Sequence, residues 1–170
     1  MRSSGAKLTL VSLLVILTAV GLAWVLAWAT PEGEGGGDMG ENWAPAVQEG
    51  RLPGFEDATV NNDGRYFFYQ ICKDVEFSRP SAPGNVLLEN TTGNAFDMQV
   101  EYVSEDYGVI YRSPVLAPNT HLLKDKLNQE LPEGTYQVKA NVYVLDPETG
   151  EQEETFTESI QLQVKKPFFG

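Results

Sequence analysis

Two patterns of apolar and polar positions divide the chain. From Leu8 to Ala29, 22 residues run without a charge. From Tyr66 onward the period is two. Phe67, Tyr69, Ile71, Val75 and Phe77 alternate with Phe68, Gln70, Cys72, Asp74 and Glu76, and only Lys73 interrupts the apolar set. Such alternation predicts a half-buried strand, because successive side chains of an extended chain point to opposite sides. Arg79-Pro80-Ser81-Ala82-Pro83-Gly84 ends it. Further strands are predicted at Asn85–Glu89, Met98–Tyr102 and Val109–Arg112, near Thr120–Leu123, and along Tyr136–Val144 and Thr155–Val164. Turn clusters separate them, notably Asn90-Thr91-Thr92-Gly93-Asn94, Asp106-Tyr107-Gly108 and Asp146-Pro147-Glu148-Thr149-Gly150. On the last strand Phe156, Ile160, Leu162 and Val164 share an inward face, and Glu158 is the misfit.

Seven short strands with regular turn signals predict an all-β fold, a sandwich of the immunoglobulin-like or fibronectin-like kind. Leu122–Leu131 is open to a second reading, because Leu123, Leu127 and Leu131 also fit one face of a short helix.

The uncharged segment is long enough to span a bilayer, which needs about 20 apolar helical residues. Arg2 and Lys7 precede it, and Glu32, Glu34 and Asp38 follow. The positive-inside rule then keeps the N-terminus in the cytoplasm and places the rest outside. The competing expectation is a cleaved signal peptide, since Ala27-Trp28-Ala29 has the small-x-small form of a cleavage site. Either reading exports the same domain. Residues 30–64 are rich in Gly, Glu, Pro, Asn and Asp and show no apolar period. They are expected to form a disordered linker, with Trp43, Leu52 and Phe55 either as stray apolar residues or as ones that touch the domain or a partner. The expected organisation is thus an anchor over 1–29, a linker over 30–64 and a domain over 65–170.

Leu131-Pro132-Glu133-Gly134-Thr135-Tyr136 opens a long alternating strand. A leucine, a glycine turn and then a tyrosine suggest a tyrosine corner, in which the phenol bonds backward to the main chain where it passes between sheets. Leu131, Gly134 and Tyr136 are the structural residues of that expectation. Gly84-Asn85-Val86-Leu87-Leu88-Glu89-Asn90, Met98-Gln99-Val100, Ile110-Tyr111-Arg112-Ser113 and Leu131–Tyr136 together resemble small membrane-anchored, immunoglobulin-like proteins of Gram-positive bacteria. The resemblance covers about Val75 to Val164. Most of those proteins are without assigned activity, so it implies a fold and a location and carries over no catalytic residue.

Charge narrows the partners. The chain has a net charge of −12. All 24 acidic side chains lie beyond the apolar segment, against 10 of the 12 basic ones, which leaves −14 there. A nucleic acid or an anionic lipid surface would be repelled. Cys72 is the single cysteine, so no intrachain disulfide forms. It is expected to be a small half-buried residue, with a free or cross-linking thiol as the alternative.

The side chains that carry chemistry are sparse. His121 is the single histidine and is expected at the surface or as a cap. Asp146, Glu148, Glu151, Glu153 and Glu154 surround one turn but lack the spacing of a calcium loop, and a solvated acidic hairpin is expected. Asp97 with Glu105 and Asp106 is weighed, and set low, as a carboxylate pair for glycoside cleavage. Asn90-Thr91-Thr92 matches a glycosylation sequon but is read as a turn. No catalytic, metal or cofactor residues are assigned, and the chain is not expected to be an enzyme.

The expectation is a tethered binding or structural module contacting a protein or an envelope component. The alternative is an envelope enzyme or metal-dependent sensor with an unrecognised site. If the third, sixth and seventh predicted strands share a sheet, its outer face carries Gln99, Glu101, Lys139, Asn141, Tyr143, Gln161 and Gln163. Tyr143, Gln99, Asn141 and Gln161 are the candidate partner-binding residues there. Phe168 and Phe169 at the chain end form the rival apolar patch.

Overall fold

The computed structural model describes residues 44–55 and 66–166. The apolar segment Leu8–Ala29, linker residues 30–43 and 56–64, and the terminal Phe168 and Phe169 lie outside the described residues. Nine strands make up the described regular structure: β1 Val47–Glu49, β2 Tyr69–Ile71, β3 Asp74–Phe77, β4 Gly84–Asn90, β5 Asp97–Ser104, β6 Gly108–Arg112, β7 Thr120–Asp125, β8 Gly134–Leu145 and β9 Gln152–Val164. They form a four-stranded sheet of order β1-β7-β4-β2 and a five-stranded sheet of order β3-β9-β8-β5-β6. Every pairing is antiparallel except β3 with β9.

Alternation builds the five-stranded sheet. Met98, Val100 and Tyr102 of β5, Val138, Ala140 and Val142 of β8, and Ile160, Leu162 and Val164 of β9 are all buried. The residues between them face the other way. Val86, Leu88 and Leu122 of the four-stranded sheet belong to the same apolar cluster. A fully buried side chain of this size contributes about 1.5–3 kcal/mol. The Tyr102 and Tyr111 rings lie 4.8 Å apart within it.

The predicted first strand is two strands. At Cys72-Lys73 the chain leaves β4, the partner of β2, and joins β9, the partner of β3. Lys73, which interrupts the apolar set, meets Glu158, the misfit of the last strand, with Nζ 2.8 Å from Oε2. Glu158 also accepts a hydrogen bond from the Tyr69 hydroxyl at 3.3 Å. Each exception to the alternation supplies the charge that the other needs.

β4 departs from simple alternation as well. Its pairing with β7 shifts register between Asn85 and Leu88, and Leu87 takes φ 45°. This bulge lets two consecutive leucines, Leu87 and Leu88, both be buried. Gly84 opens the strand where there is no room for a Cβ, which would sit 2.5 Å from the Phe77 ring and 2.7 Å from the Glu76 carbonyl.

Residues 120–131 form no helix. β4 and β1 flank β7 and take its backbone hydrogen bonds, and the chain then crosses to the other sheet. At the far end of that crossing Leu131 is buried, and Tyr136 Oη donates to the Pro132 carbonyl at 2.7 Å.

The segment before residue 56 also differs from expectation. β1 pairs with β7, Leu52 is 2 % exposed and Phe55 packs on the apolar cluster. Residues 47–55 are therefore an arm seated on the four-stranded sheet, and Leu52 and Phe55 are not stray.

Candidate functional site

The outer face of the five-stranded sheet is assembled from β5, β6, β8 and β9. Gln99 pairs with Tyr143, and Glu101 with Asn141 and Arg112. Tyr143 in turn pairs with Thr155, Asn141 with Thr157, and Gln137 with Gln161. Because side chains repeat every two residues, these positions share one face. Lys139 and Gln163 lie on it too.

At its centre Glu101 is held from two sides. Arg112 Nε donates to Oε1 at 2.6 Å, and the terminal Nη2 of Arg112 pairs with the same oxygen. The Tyr143 hydroxyl donates to Oε2 at 2.7 Å. Glu101 is 6 % exposed, so the arrangement fixes the Tyr143 ring through a carboxylate that is itself fixed. The Tyr143 phenol is pushed above its usual 10.0, first by this hydrogen bond, then by desolvation and the Glu101 charge, with Asn141 and Arg112 acting the other way. It stays protonated and donating at neutral pH.

The neighbouring amides are partly committed. Gln99 Nε2 donates to the Ser113 carbonyl at 3.0 Å, Gln137 Nε2 to Gln161 Oε1 at 3.3 Å, and Thr157 Oγ1 to Asn141 Oδ1 at 2.9 Å. What remains facing outward is a half-exposed phenol ring amid amides and hydroxyls, with Lys139 as an exposed cation. The one carboxylate in this central area is matched by Arg112. The centre of the face is thus close to neutral in a chain of net charge −12, while Asp74 beside Gln161 and Asp97 at the start of β5 lie towards its margins. It offers hydrogen bonding and a ring for contact.

The other sequence candidates are placed apart. His121 is neither at the surface nor beside a nucleophile: it is 4 % exposed, because the arm lies over β7. Its Nδ1 donates to the Gly50 carbonyl at 2.9 Å. Cys72 is 3 % exposed, and its Sγ donates to the Asp74 carbonyl at 3.1 Å. Burial raises the thiol pKa above its usual 9.0, and the charge of Asp74 assists. A buried thiol of this kind is not available to cross-link two chains.

Asp97 opens β5 whereas Glu105 and Asp106 follow its end. A strand of eight residues puts about 25 Å between them, too far for a carboxylate pair acting on one bond. Asp97 is instead raised above its usual 3.8, by desolvation and then by the charge of Asp146. Asp146 organises its own turn, with Oδ1 accepting the Glu148 and Thr149 amides at 2.8 Å each. Among the described residues no three His, Cys, Asp or Glu side chains are grouped to hold a metal ion. Asn90 of the sequon is fully buried. Its Nδ2 donates to the Phe96 and Leu116 carbonyls at 3.0 and 2.7 Å, so it closes its turn from within.

One constellation has a single faint sequence signal. Gln70 of β2 pairs with Glu89 of β4, Glu89 with His121 of β7, and His121 with Gln48 of β1. This polar row crosses the outer face of the four-stranded sheet, yet Gln70, Glu89 and His121 are 4 %, 0 % and 4 % exposed. The arm lies over Glu89 and His121. Arg51 Nε donates to Glu89 Oε1 at 2.8 Å, and the Leu52 amide donates to Oε2 at 3.0 Å. Only the position of Glu89 on an otherwise apolar run, Val86-Leu87-Leu88, hinted that it is special.

No family model, curated protein or solved structure matches this chain.

Proposed function

We propose that this chain is a membrane-tethered, extracytoplasmic binding module that contacts a protein or an envelope component through the outer face of its five-stranded sheet. The observation that carries the reading is the near-neutral centre of that face on a strongly acidic chain, with Tyr143 fixed by Glu101 and Arg112. A pre-ordered aromatic ring ringed by amides loses little entropy on contact, and such rings anchor interfaces. Repulsion between like charges, which the rest of the surface would impose on acidic envelope polymers, is weakest there.

The location rests on Leu8–Ala29 with Arg2 and Lys7 before it. The sandwich is read as immunoglobulin-like. Supporting this, β2, β4 and β7 share one sheet while β5, β8 and β9 share the other, the division that such sandwiches make. The backward bond of Tyr136 at the crossing between sheets also supports it.

The test is in-cell cross-linking followed by recovery of the full chain from membranes. A partner so captured is expected to be retained by wild type, to be held more weakly by Tyr143→Phe, which keeps the ring but not its bond to Glu101, and to be lost with Tyr143→Ala. Equal capture by Tyr143→Ala of unchanged melting temperature removes this face from consideration. Protease added to wall-stripped cells should digest residues 44–166 and spare the anchor. Full protection overturns the orientation.

A further inference from the structure

The outward positions of β8 and β9 form an open strip two strands wide. It runs from Thr135 beside Gln163 to Tyr143 beside Thr155, five cross-strand rows in all. Successive rows are two residues apart, about 6.8 Å, so the strip is about 27 Å long. Apart from Lys139 and Tyr143, every outward side chain on it ends in an amide or a hydroxyl.

Several of these groups hold one another in place. Gln137 Nε2 donates to Gln161 Oε1 at 3.3 Å, which leaves Gln137 Oε1 to accept and Gln161 Nε2 to donate outward. Thr157 Oγ1 donates to Asn141 Oδ1 at 2.9 Å. The Tyr143 hydroxyl reaches across to the buried Glu101 of β5. A hydroxyl drawn down to a buried carboxylate lays the ring along the sheet instead of upright, so one face of the half-exposed ring is turned to solvent.

We propose that this strip binds an uncharged, extended glycan, a β-1,4-linked ribbon several sugars long, which rests on the reading of this face as the module's contact surface. A sugar carries hydroxyls around its rim and C–H groups on its ring faces. The amides and hydroxyls of the strip match the rim, because groups of both kinds donate and accept. The Tyr143 ring matches the C–H face, since an aromatic face is the negative end of a quadrupole. A protein partner would set apolar side chains together at the core of the contact, and Tyr143 is the one large apolar group on the strip. Charge points the same way. Lys139 is the one charge on the strip, and Glu101 beside it is matched by Arg112. An acidic polymer is repelled by a chain of net charge −12. A basic one finds its countercharges off the strip, at Asp74 and Asp97. A ribbon touches several rows at once, so affinity should grow with its length.

The experiment titrates the full chain, held in micelles of a detergent without sugar groups, with the β-1,4-linked hexamers of glucose and of N-acetylglucosamine. The two share the ribbon and differ in the acetamido group, so binding of either supports the proposal and their ratio shows whether that group is read. Calorimetry should find the better hexamer held about tenfold or more tighter than its disaccharide, equally at low and high salt. Tyr143→Ala should weaken it about tenfold or more, and Gln137→Ala together with Gln161→Ala should weaken it as well, at unchanged melting temperature. A wild-type chain that binds neither hexamer overturns the proposal, and so does binding that survives Tyr143→Ala or falls with salt. Ligand class and face fail separately. If neither hexamer binds while cross-linking still captures a partner that Tyr143→Ala loses, the glycan is overturned and the face stands. A partner captured equally by Tyr143→Ala overturns both.

Discussion

Replacing Arg51 by methionine probes the arm directly. Methionine keeps an unbranched apolar stem and removes the guanidinium. The side chains of Arg51 and Glu89 are 11 % and 1 % exposed, with Nε 2.8 Å from Oε1, so the pair lies where water screens little. Without Arg51 the Glu89 carboxylate keeps the Leu52 amide at 3.0 Å but loses this countercharge. Breaking one partner of a buried pair costs about 3–5 kcal/mol. The loss has a ceiling, because the arm can lift and let water reach Glu89. Lifting exposes Leu52, at about 1.5–3 kcal/mol, and opens a short ladder whose bonds are each worth about 0.5–1.5 kcal/mol net. The lower of the two routes sets the loss, about 3–5 kcal/mol, a large share of the roughly 5–15 kcal/mol that holds a domain. Urea unfolding of the fragment 30–170 measures it. Hydrogen exchange distinguishes the routes: if the arm lifts, the amides of β1 and the Gly50 amide lose protection while those of β8 and β9 keep it. The double variant Arg51→Met with Glu89→Leu should recover most of the loss, since an apolar replacement of the whole pair is often neutral or better. An unchanged midpoint and slope for Arg51→Met alone would refute the reasoning, and so would a double variant weaker than the single one.

Three smaller predictions can be checked with the same fragment. Tyr136→Phe should cost less than about 1 kcal/mol, because the bond to Pro132 is solvent-exposed and water replaces it; a loss above about 2 kcal/mol would show that the phenol is shielded in solution. Gly84→Ala should cost about 1–3 kcal/mol by driving a methyl against the Phe77 ring and the Glu76 carbonyl, and equal urea midpoints would mean that β3 and β4 separate freely. Asp146 should titrate below its usual 3.8, held down by the amides of Thr149 and then Glu148. A lowered folded value favours the folded turn above the unfolded value and forfeits that preference as pH falls through the folded one. A carboxyl titration followed by NMR with a midpoint at or above 3.8 would contradict the turn geometry.

Alternation made most of the five-stranded sheet legible. Val138, Ala140, Val142 and Val144 point inward because every second residue of β8 is apolar, and the same rule finds Met98, Val100 and Tyr102. Turn chemistry was legible for similar reasons. Asp146 before Gly150 acts within a few residues of itself and Tyr136 reaches only to Pro132, whereas Asn90 bonds the nearby Phe96 and also the distant Leu116, which no local pattern shows. For the candidate face, the period alone sufficed to collect Gln99, Asn141, Tyr143 and Gln161 once their strands shared a sheet. That Glu101 would fix the Tyr143 hydroxyl was not readable, since the bond runs diagonally across two strands.

By itself the sequence determined the long strands and which side of each faces inward, because both follow from a period of two within one element. The tertiary structure alone decided what each strand lies beside. Val47–Glu49 is three exposed residues, too short to carry a period, and it is a strand because β7 offers an edge. Lys73 and Glu158 read as two separate faults in the alternation, 85 residues apart, until packing joins them. Arg51 and Glu89, 38 residues apart, and His121 beneath the arm give no local sign of burial. The cost of burying a charge or a ring nitrogen depends on the partner that folding brings to it, and no local pattern specifies that partner.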